Sequence, residues 1–536
     1  MNAVWLVVIG IVLFLVAYKN YGSYLAKQWG VDDKVETPAH TKEDGVDYVP
    51  TKAPVLLGHH FSSIAGAGPI VGPVQASIFG WVPIMLWIVT GGIFFGGVHD
   101  FGSIFASIRH GGKSIGEIIG VNIGKVGKRL FSIFAWLTLI LIIASFANIT
   151  ANTFVSVPSA ATSSLLFIAL AILFGFFVYR KNVPLGISTV IGVILLFLCI
   201  WIGMIFPITL SKTAWIFILL AYIFVASVVP VWILLQPRDY LSSFLLYALI
   251  IGAIIGIFVT HPSLQLEPFV GFNVDNTPLF PMLFITVACG AISGFHSLVG
   301  SGTTSKQLDK ESDAKLIGYG GMLIECVVAI IAIITAGYIS HGELTNLLSG
   351  GGPVNVFSHG VGNFMASFGI PLATGTSFAA LAVSAFAMTS LDTSTRLGRF
   401  IFQEYFEDSK NKNTNSFLTN RYVATTITVV LAGILAFKGW DVIWPLFGSA
   451  NQLLAALSLM AIAVWLTNIG KNSKMLSIPM IFMFAVTLTA LVFLVKNNIA
   501  KGQPVLVAFA VLLFILAIVL LVEGIKKLSK SKKIEA

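Results

Sequence analysis

Fifteen apolar segments, from 2–18 to 503–523, follow one another with only short polar connections between them. Each is near the roughly 20 residues that a helix needs to cross the hydrocarbon of a bilayer. Lipid offers no partner for backbone N–H and C=O groups, so segments of this kind must be helices. With 57% hydrophobic and 10% charged residues, against about 25% charged in soluble domains, the chain is expected to be an all-α polytopic membrane protein of about 15 transmembrane helices. The first segment has no basic stretch before it and no small-residue cleavage site after it, so it reads as a span rather than a removable signal. Cys199, Cys289 and Cys326 lie in apolar runs without metal-ligand spacing and read as packing residues.

The net charge of +9 is scattered through short connections rather than gathered with aromatics on one face, which argues against nucleic acid. It reports topology instead. Threading the segments alternately puts 28 of the 32 Lys and Arg residues on one side and only Lys212, Lys438, Lys496 and Lys501 on the other. Cytoplasmic connections are enriched in basic residues, so the N-terminus is expected outside and the C-terminus, with its KKLSKSKK tail, in the cytoplasm. The connection 340–371 carries no Lys or Arg and reads as a lid or a short surface helix; 114–126 reads as lying along the inner surface.

One segment breaks the pattern. GHHFSSIAGAGPIVGP, residues 58–73, carries four glycines and two prolines inside the apolar run 55–79. A helix broken around Gly66, Ala67 and Gly68 frees backbone groups that must face protein or water. Freed amides suit an anion, and freed carbonyls a cation or ammonium. The competing reading is that Gly66, Gly68 and Gly72 only permit close helix packing; Pro69 and Pro73 favour a break. Taken as the first helix of a five-helix unit, this segment implies a second, inverted unit beginning at 213–235, where Pro230 interrupts YIFVASVVPVWILLQPRDY unless it is a plain kink. The expected organisation is a peripheral helix and cytoplasmic loop (1–54), a first repeat (55–208), an inverted repeat (209–396), and peripheral helices with a basic tail (397–536).

No Lys or Arg falls inside a segment so drawn, whereas His59, His60, His99, Asp100, His296, Glu325 and Asp392 do. Such residues usually face the bundle interior or an aqueous path. Histidine titrates near neutrality and desolvation moves a carboxylic acid toward the same range, so His59, His60, Asp100, His296 and Glu325 are the expected proton-coupling set. The alternative is that each is a satisfied polar residue locking helices together. A zinc site at His59 and Asp100 has no ligand spacing behind it; no metal or cofactor is expected. Ser293, Ser297, Ser301, Thr303 and Thr304 line the span 280–303 with hydroxyls. Ser301, Thr303 and Thr304 are the candidate ligands if sodium is the coupling ion, against the alternative that they bond back to their own helix. A small cargo is expected against His60, Ser62, Ser63, Gly66, Ala67, Gly68 and the stretch 228–232 around Pro230, with His296 and Ser297 opposite.

GVDYVPT (45–51), GHHFSSIAGAGPIVGP, HDF (99–101), QPRDYLSSF (236–244), LFITVACGAISGFHSLVGSGTTSKQ (283–307), TSLDTSTRLGRF (389–400) and WPLFGSANQLLAALSL (444–459) occur in order over most of the chain. Together they resemble the carbon starvation protein A (CstA) family. That resemblance implies a LeuT-like core of the amino acid, polyamine and organocation superfamily, in an inner membrane, importing peptides or pyruvate, the latter with protons, during nutrient limitation. The expectation is a proton-coupled importer of small carboxylate-bearing nutrients, with the bilayer, a small solute and a coupling ion (proton, or else sodium) as its partners and homo-oligomerisation left open. A sodium-coupled carrier or a solute channel is the alternative. A membrane enzyme lacks a nucleophile or a complete ligand set, and a starvation sensor lacks a signalling domain.

Overall fold

In an unbroken helix the ring of Pro69 would run into the carbonyl of Ala65. The chain avoids this by leaving the helix at residues 65–67 and starting another at Gly68, which puts Pro69 in a first turn, where its missing N–H costs nothing. The computed structural model describes all residues except 46, 182, 231–232, 407–416 and 533–536.

The helices that matter below are, in chain order, α1 (Val4–Trp29), α2 (Ala53–Ile64), α3 (Gly68–Ala76), α4 (Trp81–Arg109), α5 (Ile115–Asn122), α6 (Lys125–Ser156), α7 (Pro158–Val178), α8 (Leu185–Ile205), α9 (Lys212–Val228), α10 (Leu235–Thr260), α11 (Leu279–Thr286), α12 (Phe295–Gly302), α13 (Lys315–Gly337), α14 (His341–Gly351), α15 (Pro353–Ala366), α16 (Leu372–Phe406), α17 (Arg421–Ala436), α18 (Trp440–Asn468), α19 (Lys474–Ala500) and α20 (Pro504–Lys532). Among the described residues, eleven helices are long and apolar enough to cross a membrane, and α9 and α17 are shorter apolar helices. The two remaining apolar segments are interrupted: α2 and α3 are parted at 65–67, and α11 and α12 at 287–294.

The first interruption falls where the glycines and prolines place it. The second does not. Pro230 is exposed in the non-helical connection between α9 and α10, so it breaks no helix and does not join the cargo site expected around it; residues 231–232 of that stretch lie outside the described residues. The second break instead lies in VACGAISG, which has no proline.

Packing is reciprocal about the two interrupted segments. α10 lies against α2 and α16, while α18 lies against α11, α12 and α6; α6 packs along α16, and the short helices α9 and α17 pack on each other. The connections gather at two ends. At one, Ala3 N donates to Pro262 O (2.8 Å), Gln265 N to Gly337 O (2.7 Å) and Trp81 N to Glu267 O (3.1 Å). At the other, where the basic connections lie, Thr51 N donates to Gln307 O (3.0 Å) and Lys42 Nζ to Gly111 O (2.7 Å). The stretch 340–371 is more than a surface helix. It forms the hairpin α14–α15, turned at Gly352 (φ 76°), and α15 is largely buried against α10, α13 and α16.

Candidate functional site

The two interruptions touch. A Cβ built on Gly68 would fall 2.5 Å from Cβ and Sγ of Cys289, and one on Gly72 would fall 2.5 Å from the carbonyl oxygen of Thr286. Glycine is needed here because α3 lies too close for a side chain both to the Cys289 side chain, at Gly68, and to the backbone of Thr286 and Val287, at Gly72. Gly66 is closed in from the other side, by Ser390 Oγ and the Phe146 ring of α16 and α6. His60, Ser62, Ser63, Gly66, Ala67 and Gly68 are all buried.

The second break is held open by side chains. Asn451 of α18 accepts from Phe295 N (2.9 Å) through Oδ1, donates to Ser293 Oγ (3.0 Å) through Nδ2, and accepts from Gly294 N (3.1 Å) through its backbone carbonyl. The indoles of Trp87 and Trp444 donate to the carbonyls of Val287 (3.1 Å) and Thr286 (3.3 Å). Buried backbone groups that lose a helical partner must find another, and these three residues supply it. The sequence reading missed all three. Asn451 and Trp444 lay in a quoted motif, but nothing in that motif said which backbone they would meet.

Against these breaks sits a buried chain of ionisable groups. The carboxylate of Asp100 lies 2.7 Å from His99 Nδ1 with one oxygen and 2.7 Å from His296 Nδ1 with the other. The other nitrogen of His296 is 3.4 Å from Glu325. His296 opens α12, Asp100 stands on α4 and Glu325 on α13, so the second break, α4 and α13 meet through one imidazole. Both carboxylate oxygens of Glu325 lack a hydrogen-bond donor. His60 joins from α2, with Nδ1 2.8 Å from the hydroxyl of Thr304, and its other nitrogen has no partner.

Of the expected proton-coupling residues, the fold thus gathers Asp100, His296 and Glu325, adds His99, and sets His60 beside them. His59 goes elsewhere. Its Nδ1 is 3.8 Å from Asp239, so it does not share a ligand set with Asp100, and among the described residues no group of three or more His, Cys, Asp or Glu side chains is placed to hold a metal. The hydroxyls of the sodium alternative bond within the protein. Ser301 donates to Ser297 O (2.5 Å) and accepts from Ile115 N (3.0 Å), Thr303 donates back to Val299 O (2.9 Å), and Thr304 serves His60. Ser297 donates to Gly294 O (2.7 Å) and meets Ser458 (2.8 Å).

The expectation that no basic residue enters the core is overturned. Arg238, assigned to a connection by its position in QPRDY, is 1% exposed in the first turn of α10. Its guanidinium pairs with Asp392 of α16, and with Asp239 at 3.0 Å, and donates to Tyr222 Oη at 2.6 Å. Arg399 is also buried, and Arg396 half-buried, in the last turns of α16. Asp392, expected among the ionisable residues, is the partner that compensates Arg238.

The family model described as carbon starvation protein CstA matches residues 2–351 and 341–490. The chain belongs to the CstA family. It is 32% identical over 580 residues to the peptide transporter CstA of Bacillus subtilis, covering 98% of this chain and 95% of that one. It is 34% identical over 550 residues to the pyruvate/proton symporter BtsT of Escherichia coli, covering 85% and 76%. Among solved structures, a mutant of the Eremococcus coleocola manganese transporter shares the fold, with a TM-score of 0.51 at 13% identity over 89% of this chain and 94% of that one. This CstA-family chain is therefore a multi-pass membrane transporter of small molecules with a LeuT-like core, and not an enzyme.

Proposed function

We propose that the protein imports small carboxylate-bearing nutrients, short peptides or pyruvate, by proton symport, binding them where the two interrupted segments meet. The observation that carries this reading is the placement of His296. One ring nitrogen faces Asp100 and the other Glu325, and the residue stands two positions beyond the 287–294 break, which abuts Gly68. An imidazole between two carboxylates takes a proton on one nitrogen and yields it from the other, and a shift in its contact with either carboxylate pulls on α12 and so on the break. Cargo binding and proton binding then share one element. The names of the two relatives support the cargo class, and the second supports the coupling ion. Ser301 and Thr303 donate their hydrogens to carbonyls of their own helix and Thr304 meets His60, so sodium coupling stays the alternative that the uptake test distinguishes.

On this reading the cargo lies against Ser62, Ser63, Gly66, Ala67 and Gly68. Ser62 Oγ and His60 Nε2 are buried polar atoms without partners, and first-turn amides of α3 face the carboxylate. The two breaks support repeats that begin at α2 and at α11. The first comprises α2–α3, α4, α6, α9 and α10, with α7–α8 inserted as a hairpin, and the second comprises α11–α12, α13, α16, α17 and α18, leaving α1, α19 and α20 peripheral. The basic end faces the cytoplasm of a cell whose plasma membrane the protein spans, and uptake serves growth under nutrient limitation.

The test is accumulation. Purified protein in sealed vesicles, given labelled pyruvate or dialanine and an inward proton gradient, accumulates solute above equilibrium. Mere equilibration identifies a channel, and uptake that follows sodium while ignoring pH overturns proton coupling.

A further inference from the structure

The Arg238 cluster plays no part in the mechanism above, and its cost asks for a reason. A buried guanidinium is stabilised by its partners only at the expense of desolvating all of them, and a well-packed apolar replacement would often serve stability as well. Its position suggests the reason. Asp392 stands two residues, about 3 Å of helix rise, beyond Ser390, whose hydroxyl borders Gly66 at the first break. Arg238 therefore lies beside the break on the side of the basic end, where α2, α9, α10 and α16 converge through His59, Tyr222, Asp239 and Asp392. Its bonding is incomplete: Arg238 Nε and Asp392 Oδ1 are both buried without partners.

Farther along the same face of α16 come Arg396 and Arg399. Arg396 donates to the carbonyls of Ala226 (2.8 Å) and Val229 (2.6 Å), and Arg399 to that of Ser227 (2.7 Å), where α9 ends. Among the described residues, neither has a carboxylate within ion-pair distance, and the Nε of each has no acceptor. Three guanidinium groups thus lead from the break toward the basic end, and the one nearest the break is occupied by two carboxylates of the protein, Asp392 and Asp239.

We propose that Arg238 is the exit-side counter-ion of an anionic cargo: Asp392 occupies its guanidinium in the absence of cargo and is displaced by the cargo's carboxylate on the way from the break to the basic end, with Arg396 and Arg399 as the next cationic stations. This rests on the carboxylate-bearing cargo proposed above. The cargo's carboxylate takes the place of Asp392 on Nη1 while Asp239 stays on Nη2, and the charge balances because the displaced Asp392 takes up a proton, which proton symport supplies. The exchange also releases α16 from α10, so the cargo's departure and the parting of those helices become one event.

The experiment compares uptake of labelled dialanine and of its C-terminal amide into vesicles, alongside pyruvate. Wild-type protein that takes up acid and amide equally refutes the carboxylate reading itself. Given a wild-type preference for the acid, Asp392→Asn is expected to lower KM for the acid, because the guanidinium is freed. The charge-neutral pair Arg238→Gln/Asp392→Asn is expected to lose that preference by about tenfold or more while keeping a monodisperse, wild-type-like melting profile. A double variant that retains the preference, or an Asp392→Asn protein with a raised KM and unchanged kcat, overturns the proposal. If the double variant does not fold, Arg238→Lys decides. A KM for pyruvate raised about tenfold, with kcat changed less, supports the counter-ion role, and an unchanged KM overturns it.

Discussion

Gly68 and Cys289 meet across the two interrupted segments, 221 positions apart in the chain, with room for no atom between the glycine's Cα and the cysteine's side chain. This contact fixes how the breaks sit against each other. Overpacking of a buried contact costs about 1–3 kcal/mol, so Gly68→Ala should lower the melting temperature in detergent and depress uptake. Cys289→Gly in that background should restore part of both. A double variant no better than Gly68→Ala would mean that the breaks do not share this contact.

The chain of His99, Asp100, His296 and Glu325 yields a prediction about coupling. Asp100→Asn and Glu325→Gln each remove one of the two carboxylates facing the His296 ring while keeping its shape. Both should flatten the pH dependence of uptake and leave cargo binding, read by ligand-induced thermal shift, within about threefold of wild type. Unchanged pH dependence in both would remove them from the mechanism.

Asn451 tests the second break. Asn451→Ala removes the acceptor of the Phe295 amide, and a buried donor left without an acceptor costs about 1–3 kcal/mol. Lower stability is expected, together with a loss of transport larger than that caused by Trp87→Phe, which removes only the donor to Val287 O. Equal losses in the two variants would show that Asn451 does not set the break's geometry.

At the basic end, Glu311 is 2% exposed, pairs with Arg109 at 2.7 Å and accepts from Asp32 N at 3.0 Å. It ties the stretch after α1 to the connection before α13. Charged hydrogen bonds of this kind contribute about 1.5–3 kcal/mol, so Glu311→Ala should melt earlier while the KM for cargo stays put. A shift in KM with no change in melting would place Glu311 in the transport path instead.

The residues of the first break could be found without coordinates because the cause is local. Pro69 excludes a helical carbonyl four residues earlier, and the glycines around it supply the tolerance. The second break has no proline, and what marks it is long-range: Asn451 on α18, and Trp87 on α4, 200 residues from the carbonyl it binds. Pro230 carried the same local signal as Pro69 yet lies in an exposed connection, since a proline shows where a helix can end and not at what depth. Arg238 was misplaced for a related reason. Its charge near the end of an apolar run reads as a boundary, whereas Asp392, 154 positions away, draws it into the core.

The sequence by itself determined what hydropathy and a proline can determine: an all-helical membrane protein with a first interrupted helix around Gly66, Ala67 and Gly68 and a set of intramembrane histidines and carboxylates, to which the ordered motifs add the resemblance to the CstA family. Only the tertiary structure decided which of them pair, that His99 meets Asp100 while His59 faces Asp239, and that an arginine lies buried beside the break. The reason is physical. Helix formation and its interruption are settled within a few residues, but the cost of burying a charge is settled by whichever distant side chain arrives to meet it.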